Sequence, residues 1–547
     1  MANRKLIITI TIALVLLVAG LTRMWKLTEF PVSLTMDEVA IGYGSYSLLQ
    51  TGMDERGNSW PLAFYSVGDY KPPVNFYILM PFIATLGLTE FAVRIPVALM
   101  STASVGLFML LIYQLNKRWT TVALSGLWLA VLPWHIHYSR FGTEAITAMF
   151  FLLIALTSYF QALKTKSVWW LIPSAFGFSI SVWAYHSNRL FITILCIGLL
   201  ILSWKHIKPI LSNKHIIWPI LVVLIFAIPF LHLLLTTPAI TERARMTSIL
   251  SDPNFDKTLY KGSYPNIITR IFDHDFFKIY GHWLSKYLDY YDPRYLFWKG
   301  IAWTPRYMPG VGLMHVADII LFVAGAVAIS MRKRDWTDWF IVFWLFIGPI
   351  TAAFTMNDQH PLRTIVWLPA FGLFIAWGLE LLLSNWQKLW SKLILFVYAI
   401  GLIFGILYAT DMYLVQFPRY MSEFYSYGFK QAAVYACEHQ DEYDSITISP
   451  IYGTLGPLFV GLPDYYVMFY CQYPPHKLHA DGKVEKFNFY KVDWRNEREA
   501  PGRALLISTR WDYPEVTAPA EHVIQEIKYP DGQVGFYIID TGPDIIE

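Results

Sequence analysis

The residues best suited to catalysis lie in one polar stretch near the start of the chain. Two neighbouring carboxylates, Asp37 and Glu38, are followed in that stretch by Asp69-Tyr70-Lys71-Pro72-Pro73. A carboxylate beside a hydroxyl group can act as a general base. The paired prolines hold Lys71 outside the helical region, on a stiff segment that suits contact with a phosphate. The residues alone also fit a solvated carboxylate pair and a lysine that only anchors the chain at a membrane surface.

A histidine and an arginine occur together in three further short segments, each between two apolar runs. Ionisable side chains at membrane depth are costly and usually face a cavity. We therefore expect the three segments to line one shared polar cavity, although each segment alone also fits anchoring at the membrane interface. The segments contribute His137, Arg140 and Glu144; His186 and Arg189; and His360 and Arg363.

The composition indicates why these residues would lie at a membrane. Of 547 residues, 55% are hydrophobic and only 15% are charged, whereas soluble domains average about 25% charged residues. The net charge of +3 is too small to indicate binding of nucleic acid. We therefore predict an all-α polytopic protein of the cytoplasmic (inner) membrane.

Eleven apolar runs approach the ~20 residues that a transmembrane helix needs. The first run follows a basic N-terminus and lacks a small-residue cleavage site, which favours a retained span over a cleaved signal peptide. The predicted spans are 6–24, 93–115, 119–134, 145–163, 168–185, 190–204, 216–235, 312–330, 337–354, 362–384 and 393–411.

Basic residues fall in alternate loops between these runs. Because short cytoplasmic loops collect Lys and Arg, we predict a cytoplasmic N-terminus and an extracytoplasmic C-terminus. The apolar run 74–88 would break the alternation if it crossed the membrane, so we place it as a helix along the outer interface. Residues 1–411 then form a transmembrane module with outer loops 25–92 and 236–311.

The rest of the chain, residues 412–547, is more polar and carries the signals of an extracytoplasmic α/β domain. Short runs rich in β-forming residues occur together with one helical pattern, and their mixture favours a small sheet packed with helices. The predicted strands are 445–448, 504–507 and 535–539, and the predicted helix is 425–439.

The sequence contains no motif for a metal or a nucleotide. The histidines lack HExxH or other metal-ligand spacing, and no Walker-type or Rossmann glycine loop is present. We therefore expect no required cofactor and no catalytic metal. Two of the three cysteines, Cys437 and Cys471, lie in the predicted outer domain, where they could form a disulfide. Two unpaired thiols fit the sequence equally well.

Several motifs together resemble a known family. They resemble bacterial members of the protein O-mannosyltransferase family, which is family 39 of the GT-C glycosyltransferases. The lipid A aminoarabinose transferases are similar in general design and also have a lysine before paired prolines. The motifs are Asp37-Glu38, DERGNSWPLAFYSVGDYKPP at 54–73, AVRIP at 92–96, PWHIHYSRFGTEA at 133–145, YHSNRLF at 185–191, DPRYLFWKG at 292–300 and MNDQHPLR at 356–363.

The resemblance implies a GT-C fold and an extracytoplasmic active site. The donor would be a hexose or pentose carried on a polyprenyl phosphate, and the acceptor a glycan, a lipid or a protein. Transfer would proceed by inverting displacement, with Asp37 as the catalytic base and Glu38 as the neighbouring acid. Lys71 would contact the donor phosphate together with one or more arginines. The candidate arginines are Arg94, Arg140, Arg189, Arg306 and Arg363, and the other candidate cavity residues are Asp69, Tyr70, His137, Glu144, His186 and His360.

Three other functions fit parts of the pattern. A transporter or flippase of lipid-linked sugars would share the polar cavity, but the sequence shows no internal repeat of the kind that many transporters have. A non-catalytic scaffold that uses the outer domain would leave the first-loop motifs unexplained. An oligosaccharide ligase that uses a polyprenyl diphosphate donor would need similar residues, so only the family resemblance favours a monophosphate.

Overall fold

The apolar runs of the sequence fold into helices in the computed structural model, since backbone polar groups in lipid must be satisfied within the segment. Among the described residues, eight helices are long and apolar enough to cross a membrane, and a bent pair, Trp119–Val131 with Pro133–Ser139, makes a ninth. The other two predicted spans correspond to the shorter helices Val168–Ala184 and Asp318–Met331. The chain is thus a multi-pass membrane protein, and the total of eleven spans stays a prediction. The structure describes residues 2–115, 118–238, 240–251, 267, 275–301, 307–356, 358–499, 501–512 and 522–542.

The helices of the transmembrane module follow the predicted order along the chain. They are α1 Ala2–Met24, α2 Met36–Thr51, α3 Val74–Leu86, α4 Glu90–Leu115, α5 Trp119–Val131, α6 Pro133–Ser139, α7 Glu144–Thr165, α8 Leu171–Ala184, α9 Asn188–Leu211, α10 Ile217–Thr236, α11 Glu242–Thr247, α12 Asp275–Asp289, α13 Asp318–Met331, α14 Trp336–Ile347, α15 Ile350–Ala353, α16 Leu368–Ser384 and α17 Leu389–Asp411.

The first outer loop has a defined local structure that positions the motif residues. Helix α2 begins with a capping box, in which the Thr35 side chain accepts from the Glu38 backbone and the Glu38 side chain accepts from the Thr35 backbone. The strands β1 Phe64–Ser66 and β2 Asp69–Lys71 form a hairpin around Val67 and Gly68, both at positive φ (55° and 77°). Positive φ at both turn positions matches the twist of a tight hairpin. Lys71 therefore ends a short hairpin directly before the two prolines and α3.

The run predicted to lie along the interface, 74–88, forms α3, which packs against α2 and α4. Its helical state is confirmed. Its orientation relative to the bilayer stays a prediction.

The C-terminal domain contains the predicted mixture of strands and helices. A five-stranded sheet has the order β4-β3-β5-β7-β6, with β3 parallel to β4 and β5, and with β7 antiparallel to β5 and β6. All three predicted strands are confirmed, and the predicted helix 425–439 is confirmed as α19. The elements are α18 Phe417–Met421, α19 Phe429–Glu438, β3 Ser445–Ile448, α20 Pro463–Tyr470, α21 Pro475–Asp481, β4 Phe487–Asn488, α22 Trp494–Glu499, β5 Ala504–Ser508, β6 Val523–Lys528 and β7 Val534–Asp540.

One of the two alternatives for the cysteines is realised in the structure. Cys437, in α19, and Cys471, directly after α20, form a disulfide. The bond fixes the end of α20 against α19, and α20 is one of the helices through which the domain contacts the first outer loop.

The first outer loop and the C-terminal domain share one hydrophobic core that includes residues of α2, α3, α19 and α20. Tyrosine hydroxyls tie the two together: Tyr466 donates to the Leu34 carbonyl at 2.7 Å, and Tyr43 donates to the Tyr473 carbonyl at 2.8 Å. Tyr470 donates to Glu90 Oε1 at 2.6 Å. The helix that carries Asp37 is therefore held in place by the outer domain as well as by the transmembrane module.

Candidate active site

Asp37 and Lys71 meet at the outer end of the transmembrane module. The Lys71 Nζ lies 2.6 Å from Asp37 Oδ1 and 3.3 Å from Asp69 Oδ1. Asp37 lies in the first turn of α2, where the helix dipole favours a negative charge. The Asp37 side chain is 58% exposed and that of Lys71 only 7%. A substrate can therefore reach the Asp37 carboxylate, whereas the Lys71 side chain is buried and also contacts Asp69.

Both members of the pair, Asp37 and Lys71, are ionised. Desolvation opposes ionisation of Asp37, but the ammonium of Lys71 and the guanidinium of Arg243 outweigh it and lower the pKa of Asp37. Burial likewise disfavours a charged Lys71, but the Asp37 and Glu144 carboxylates raise the pKa of Lys71 overall. At neutral pH the site thus contains an accessible carboxylate and a buried ammonium ion in direct contact.

A cavity of about 470 Å³ lies beside this pair and is lined by three arginines, Arg189, Arg243 and Arg363. Two contacts join the cavity to the lysine hairpin. Arg243, in α11, forms an ion pair with Asp69, and the His186 Nε2 donates to the Tyr70 carbonyl at 2.9 Å. The opposite ring nitrogen of His186 is buried and has no hydrogen-bond partner among the described residues. The arrangement concentrates positive charge next to Lys71, as a binding site for an anion would.

Glu38 does not share the site of its neighbour Asp37. It is 2% exposed and forms a buried ion pair with Arg94, at 2.9 Å from Glu38 Oε1 to Arg94 Nε. The same carboxylate accepts from the Gly142 and Thr35 backbone N–H groups at 3.0 and 2.9 Å. Its lone pairs are used within the fold, so this geometry assigns Glu38 a structural role, and its catalytic role stays a prediction.

Two arginines expected to bind the donor phosphate instead hold the backbone. Arg94 donates to three carbonyl oxygens, those of residues 27, 31 and 33, besides Glu38. Arg140 donates to the carbonyls of residues 22, 25, 26 and 30, around the C-terminal end of α1. Both side chains are buried with their donors engaged. In this structure their donors contact the chain itself and not the arginine cavity, so a contact of Arg94 or Arg140 with the donor phosphate stays a prediction.

His137 is also separated from the cavity. Its ring is fully buried among aromatic side chains, with Phe141, Tyr307 and Phe417 at centroid distances of 5.0, 5.0 and 5.4 Å. No hydrogen bond reaches either ring nitrogen from the described residues. His137 is therefore not among the residues that line the arginine cavity, and its role in substrate binding stays a prediction.

Of the remaining predicted residues, some lie near Lys71 and His186 and others do not. Glu144 begins α7 close enough to Lys71 to act on it electrostatically, and Tyr70 packs edge-on against Tyr65 with its carbonyl toward His186. The His360 backbone N–H is bonded to the Tyr290 hydroxyl at 3.0 Å, and His360 does not line the arginine cavity. Arg306 lies outside the described residues.

The fold is similar to that of solved membrane enzymes. ArnT from Cupriavidus metallidurans in the apo state is 13% identical, with 100% of each chain covered and a TM-score of 0.55. The same protein bound to undecaprenyl phosphate is 12% identical over the same coverage, with a TM-score of 0.54. The archaeal oligosaccharyltransferase AglB from Archaeoglobus fulgidus, in complex with an inhibitory peptide and a dolichol-phosphate, is 11% identical, covering 86% of this chain and 64% of that chain at a TM-score of 0.54.

The chain has a GT-C fold. Residues 70–232 of the sequence also match the family model described as dolichyl-phosphate-mannose-protein mannosyltransferase. Comparison of the sequence with curated proteins gives no match. The fold expected from the sequence motifs is thus confirmed. The matched segment begins one residue before Lys71 and includes the cavity residues His186 and Arg189.

Within this GT-C fold, sequence reasoning missed two site residues, Arg243 and Glu55. Arg243 lies in the second outer loop, in the run Thr241-Glu-Arg-Ala-Arg-Met246, where two arginines one residue apart are the only signal in the sequence. Glu55 lies within the quoted first-loop motif, but nothing in its spacing distinguishes it from a solvated acid. Among the described residues, no group of three or more His, Cys, Asp or Glu side chains could hold a metal ion.

Glu55 is buried where the GT-C module meets the C-terminal domain. Its Oε1 accepts from the Tyr465 hydroxyl at 3.2 Å, and its Oε2 has no partner among the described residues. A Cβ at Gly44 would lie only 2.9 Å from Oε2, so glycine leaves room for the carboxyl. Burial and the neighbouring Asp54 raise the pKa of Glu55 to about 7.

We expect Glu55→Gln to stabilise the protein at alkaline pH. Glu55 ionises in the unfolded chain near its ordinary pKa of 4.5 and in the folded protein only near 7, so wild-type stability falls as pH rises through this window. Above this window the buried charge lowers the free energy of unfolding by about 3 kcal/mol. Glutamine keeps the acceptor for Tyr465 without the charge. Melting temperatures of the two proteins should agree near pH 5 and diverge above pH 7; equal values at both would contradict a buried charge at this position.

We expect Glu38→Gln to lower stability more than it lowers the chemistry of each folded molecule. Loss of one partner from a buried, hydrogen-bonded ion pair typically costs about 3–5 kcal/mol because the other charge is left unpaired. Thermal unfolding in detergent measures the loss, and the transfer rate per folded molecule measures the chemistry. A normal melting temperature with abolished transfer would show instead that Glu38 takes part in the chemistry.

Proposed function

We propose that the chain is a membrane glycosyltransferase that moves a hexose or pentose from a polyprenyl-phosphate donor to an acceptor on the extracytoplasmic face. The observation that carries the proposal is the contact between the exposed Asp37 carboxylate and the buried Lys71 ammonium, next to a cavity lined by three arginines. A base and a set of cations are the two groups that such a transfer needs.

The cations would bind the donor phosphate. Arg189, Arg243 and Arg363 lie on three separate parts of the chain and line one cavity, which the ion pair of Arg243 with Asp69 joins to the hairpin of Lys71. A guanidinium suits planar contact with phosphate oxygens. The leaving polyprenyl phosphate gains negative charge as the bond to the sugar breaks. Fixed cations in a site shielded from water stabilise such charge without reorganisation.

The hydrocarbon tail also has a suitable site. An apolar cavity of about 450 Å³ is lined by residues of α3, α8 and α10, including Val74, Tyr77, Trp183 and Phe226. Pro73, two residues after Lys71, forms part of its wall. A lipid with its phosphate at Lys71 would thus have an apolar groove beginning beside the headgroup.

In the proposed reaction Asp37 removes the proton from the acceptor hydroxyl as its oxygen attacks the anomeric carbon. The bond between that carbon and the phosphate oxygen breaks, and its electron pair leaves with the polyprenyl phosphate. A single displacement inverts the configuration at the carbon. When the donor phosphate engages Lys71, Asp37 loses part of its ion pair and becomes a stronger base. The donor would thus prepare the base for the acceptor.

Two findings support this proposal from outside the site. ArnT has been solved bound to undecaprenyl phosphate and AglB in complex with a dolichol-phosphate, so proteins of this fold bind polyprenyl phosphates. The disulfide between Cys437 and Cys471 suits an oxidising compartment. We therefore place the C-terminal domain and the active site on the extracytoplasmic side of the cytoplasmic membrane, with the N-terminus inside.

The proposal is tested by offering the purified protein a panel of radiolabelled polyprenyl-phosphate hexoses and pentoses, with membrane extract as acceptor. We expect one donor to lose its sugar to a lipid, glycan or protein fraction. Parallel reactions with polyprenyl-diphosphate oligosaccharides distinguish a ligase. Use of the diphosphate donors alone would contradict the monophosphate assignment.

The ion pair predicts a difference between two pH profiles. Because Lys71 and Arg243 lower the pKa of Asp37 below its ordinary 3.8, the base of the free enzyme is ionised throughout the neutral range. The acid limb of kcat/KM for the donor should therefore lie below about pH 4. Once the donor phosphate shares Lys71, the acid limb of kcat should move to higher pH. Coincident limbs would show that Lys71 does not exchange partners.

A further inference from the structure

A rigid loop of the C-terminal domain exposes large apolar side chains that no function described above uses. Leu455 is 88% exposed, Phe459 72% and Val460 56%. They lie between β3 and α20, and two residues separate Val460 from the start of α20. An exposed cluster of large apolar side chains on an otherwise polar domain indicates an interaction surface.

The loop is held in one conformation by hydrogen bonds at its base. Tyr452 and Leu458 exchange both backbone hydrogen bonds, at 3.2 and 2.7 Å. The Trp511 Nε1 donates to the Gly453 carbonyl at 2.7 Å. The apolar side chains are therefore presented by an ordered structure.

The base of the loop is also tied to the outer end of the last span. The backbone N–H and hydroxyl of Thr454 both donate to Glu423 Oε2, at 2.8 and 2.6 Å. Glu423 follows directly on the apolar helical stretch Leu389–Met421, the last candidate span. The loop is thus joined to the end of the helical stretch that contains the last predicted span, 393–411.

The exposed surface of that span leads toward the loop. In the C-terminal half of the helical stretch Leu389–Met421, the apolar side chain of Leu407 within the predicted span and those of Val415 and Tyr420 beyond it are all exposed. Two basic residues nearby in the chain, Arg419 and Arg510, are exposed, and Arg510 donates to the Thr454 carbonyl at the base of the loop at 3.5 Å. Apolar side chains flanked by basic ones are typical of segments that insert into the interface of a membrane with anionic lipids.

We propose that Leu455, Phe459 and Val460 insert into the outer leaflet and anchor the C-terminal domain to the membrane surface. The loop continues directly into α20, and Tyr466 of α20 donates to the Leu34 carbonyl beside the start of α2. The anchor would therefore fix the distance between the membrane surface and the start of α2, the helix that carries Asp37. The inference does not depend on the proposed reaction.

The test uses the full-length protein in nanodiscs of phosphatidylethanolamine and phosphatidylglycerol, one copy per disc. In a Cys196→Ala background with the native disulfide intact, Leu455→Cys or Phe459→Cys is labelled with the environment-sensitive fluorophore NBD. Gln533→Cys, in the exposed turn between β6 and β7 of the same domain, is the matched control. Both loop residues are largely exposed, so labelling removes little packing.

We expect blue-shifted emission at positions 455 and 459, with loss of about half the fluorescence or more when the lipids carry a doxyl group on the acyl chain near the headgroup. Position 533 should show neither effect. Water-like emission without quenching at the loop would overturn the proposal. A blue shift without quenching would overturn it too, because it would indicate a contact with protein.

Discussion

Replacing Asp37 with Asn is expected to lower transfer by about 10²–10⁴-fold, the usual contribution of a general base. Asparagine keeps the size of the side chain and its position in the first turn of α2, but it cannot accept the proton of the acceptor. Because the carboxylate faces Lys71 and not a packed core, the variant should fold and should still bind the donor. Initial transfer rates and donor binding, measured on the same preparation, separate the two effects.

A matched control is available in the same outer loop. Glu29 is an exposed carboxylate paired with Lys26 at 2.5 Å, so Glu29→Gln removes a similar charge away from the cavity and should leave transfer unchanged. Turnover by Asp37→Asn at the rate of the wild type would remove Asp37 from the mechanism.

Replacing Lys71 with Ala is expected to weaken donor binding by about 10- to 100-fold. Charge-assisted hydrogen bonds to a phosphate contribute about 1.5–3 kcal/mol, and each 1.4 kcal/mol is a factor of ten in affinity. The substitution also leaves Asp37 and Asp69 without the ammonium that lies between them, so their repulsion of the phosphate adds to the loss. Titration with a polyprenyl phosphate measures it directly.

Acceptor binding should change much less, because Lys71 is buried behind Asp37. Lys26→Ala, the exposed partner of Glu29, controls for a general change in surface charge. An equal loss of donor and acceptor affinity in Lys71→Ala would instead indicate that the lysine only holds the hairpin in place.

The central pair could be anticipated from the sequence because its determinants are local. The capping box places Asp37 in the first turn of α2, and the tight turn at Val67-Gly68 with the following prolines fixes Lys71 at the end of a hairpin. The long apolar runs and the β-rich segments were likewise readable as local periodicity. Local patterns therefore predicted a polytopic helical protein with an outer α/β domain and singled out Asp37 and Lys71, whereas the resemblance to a known family supplied the GT-C fold and the roles of the two residues.

The arginines show where sequence reasoning fails. Arg94, Arg140, Arg189 and Arg363 all lie near the outer ends of spans, so their sequence positions look alike. The structure separates them by what their donors contact: Arg94 and Arg140 bind carbonyl oxygens of the chain around the end of α1, whereas Arg189 and Arg363 line the cavity. Which carbonyls a helix end leaves unpaired depends on tertiary packing, which no sequence motif records.

Contacts between distant parts of the chain were also beyond the sequence. Tyr43 and Tyr473 are 430 residues apart, yet their hydrogen bond joins the first outer loop to the C-terminal domain. The boundary at residue 412 was drawn from a change in composition. A change in composition does not predict which segments pack together. The shared core shows that the first outer loop packs with the C-terminal domain as one unit.

The most direct test of the account is a transfer assay in proteoliposomes with the labelled donor identified from the panel, comparing wild type, Asp37→Asn and Glu29→Gln. Release of polyprenyl phosphate and transfer of the sugar are measured together with movement of the donor between leaflets. We expect stoichiometric release and transfer by wild type and Glu29→Gln, and donor binding without transfer by Asp37→Asn. Movement of the lipid between leaflets, with no transfer by any of the three proteins, would contradict it and identify a transporter.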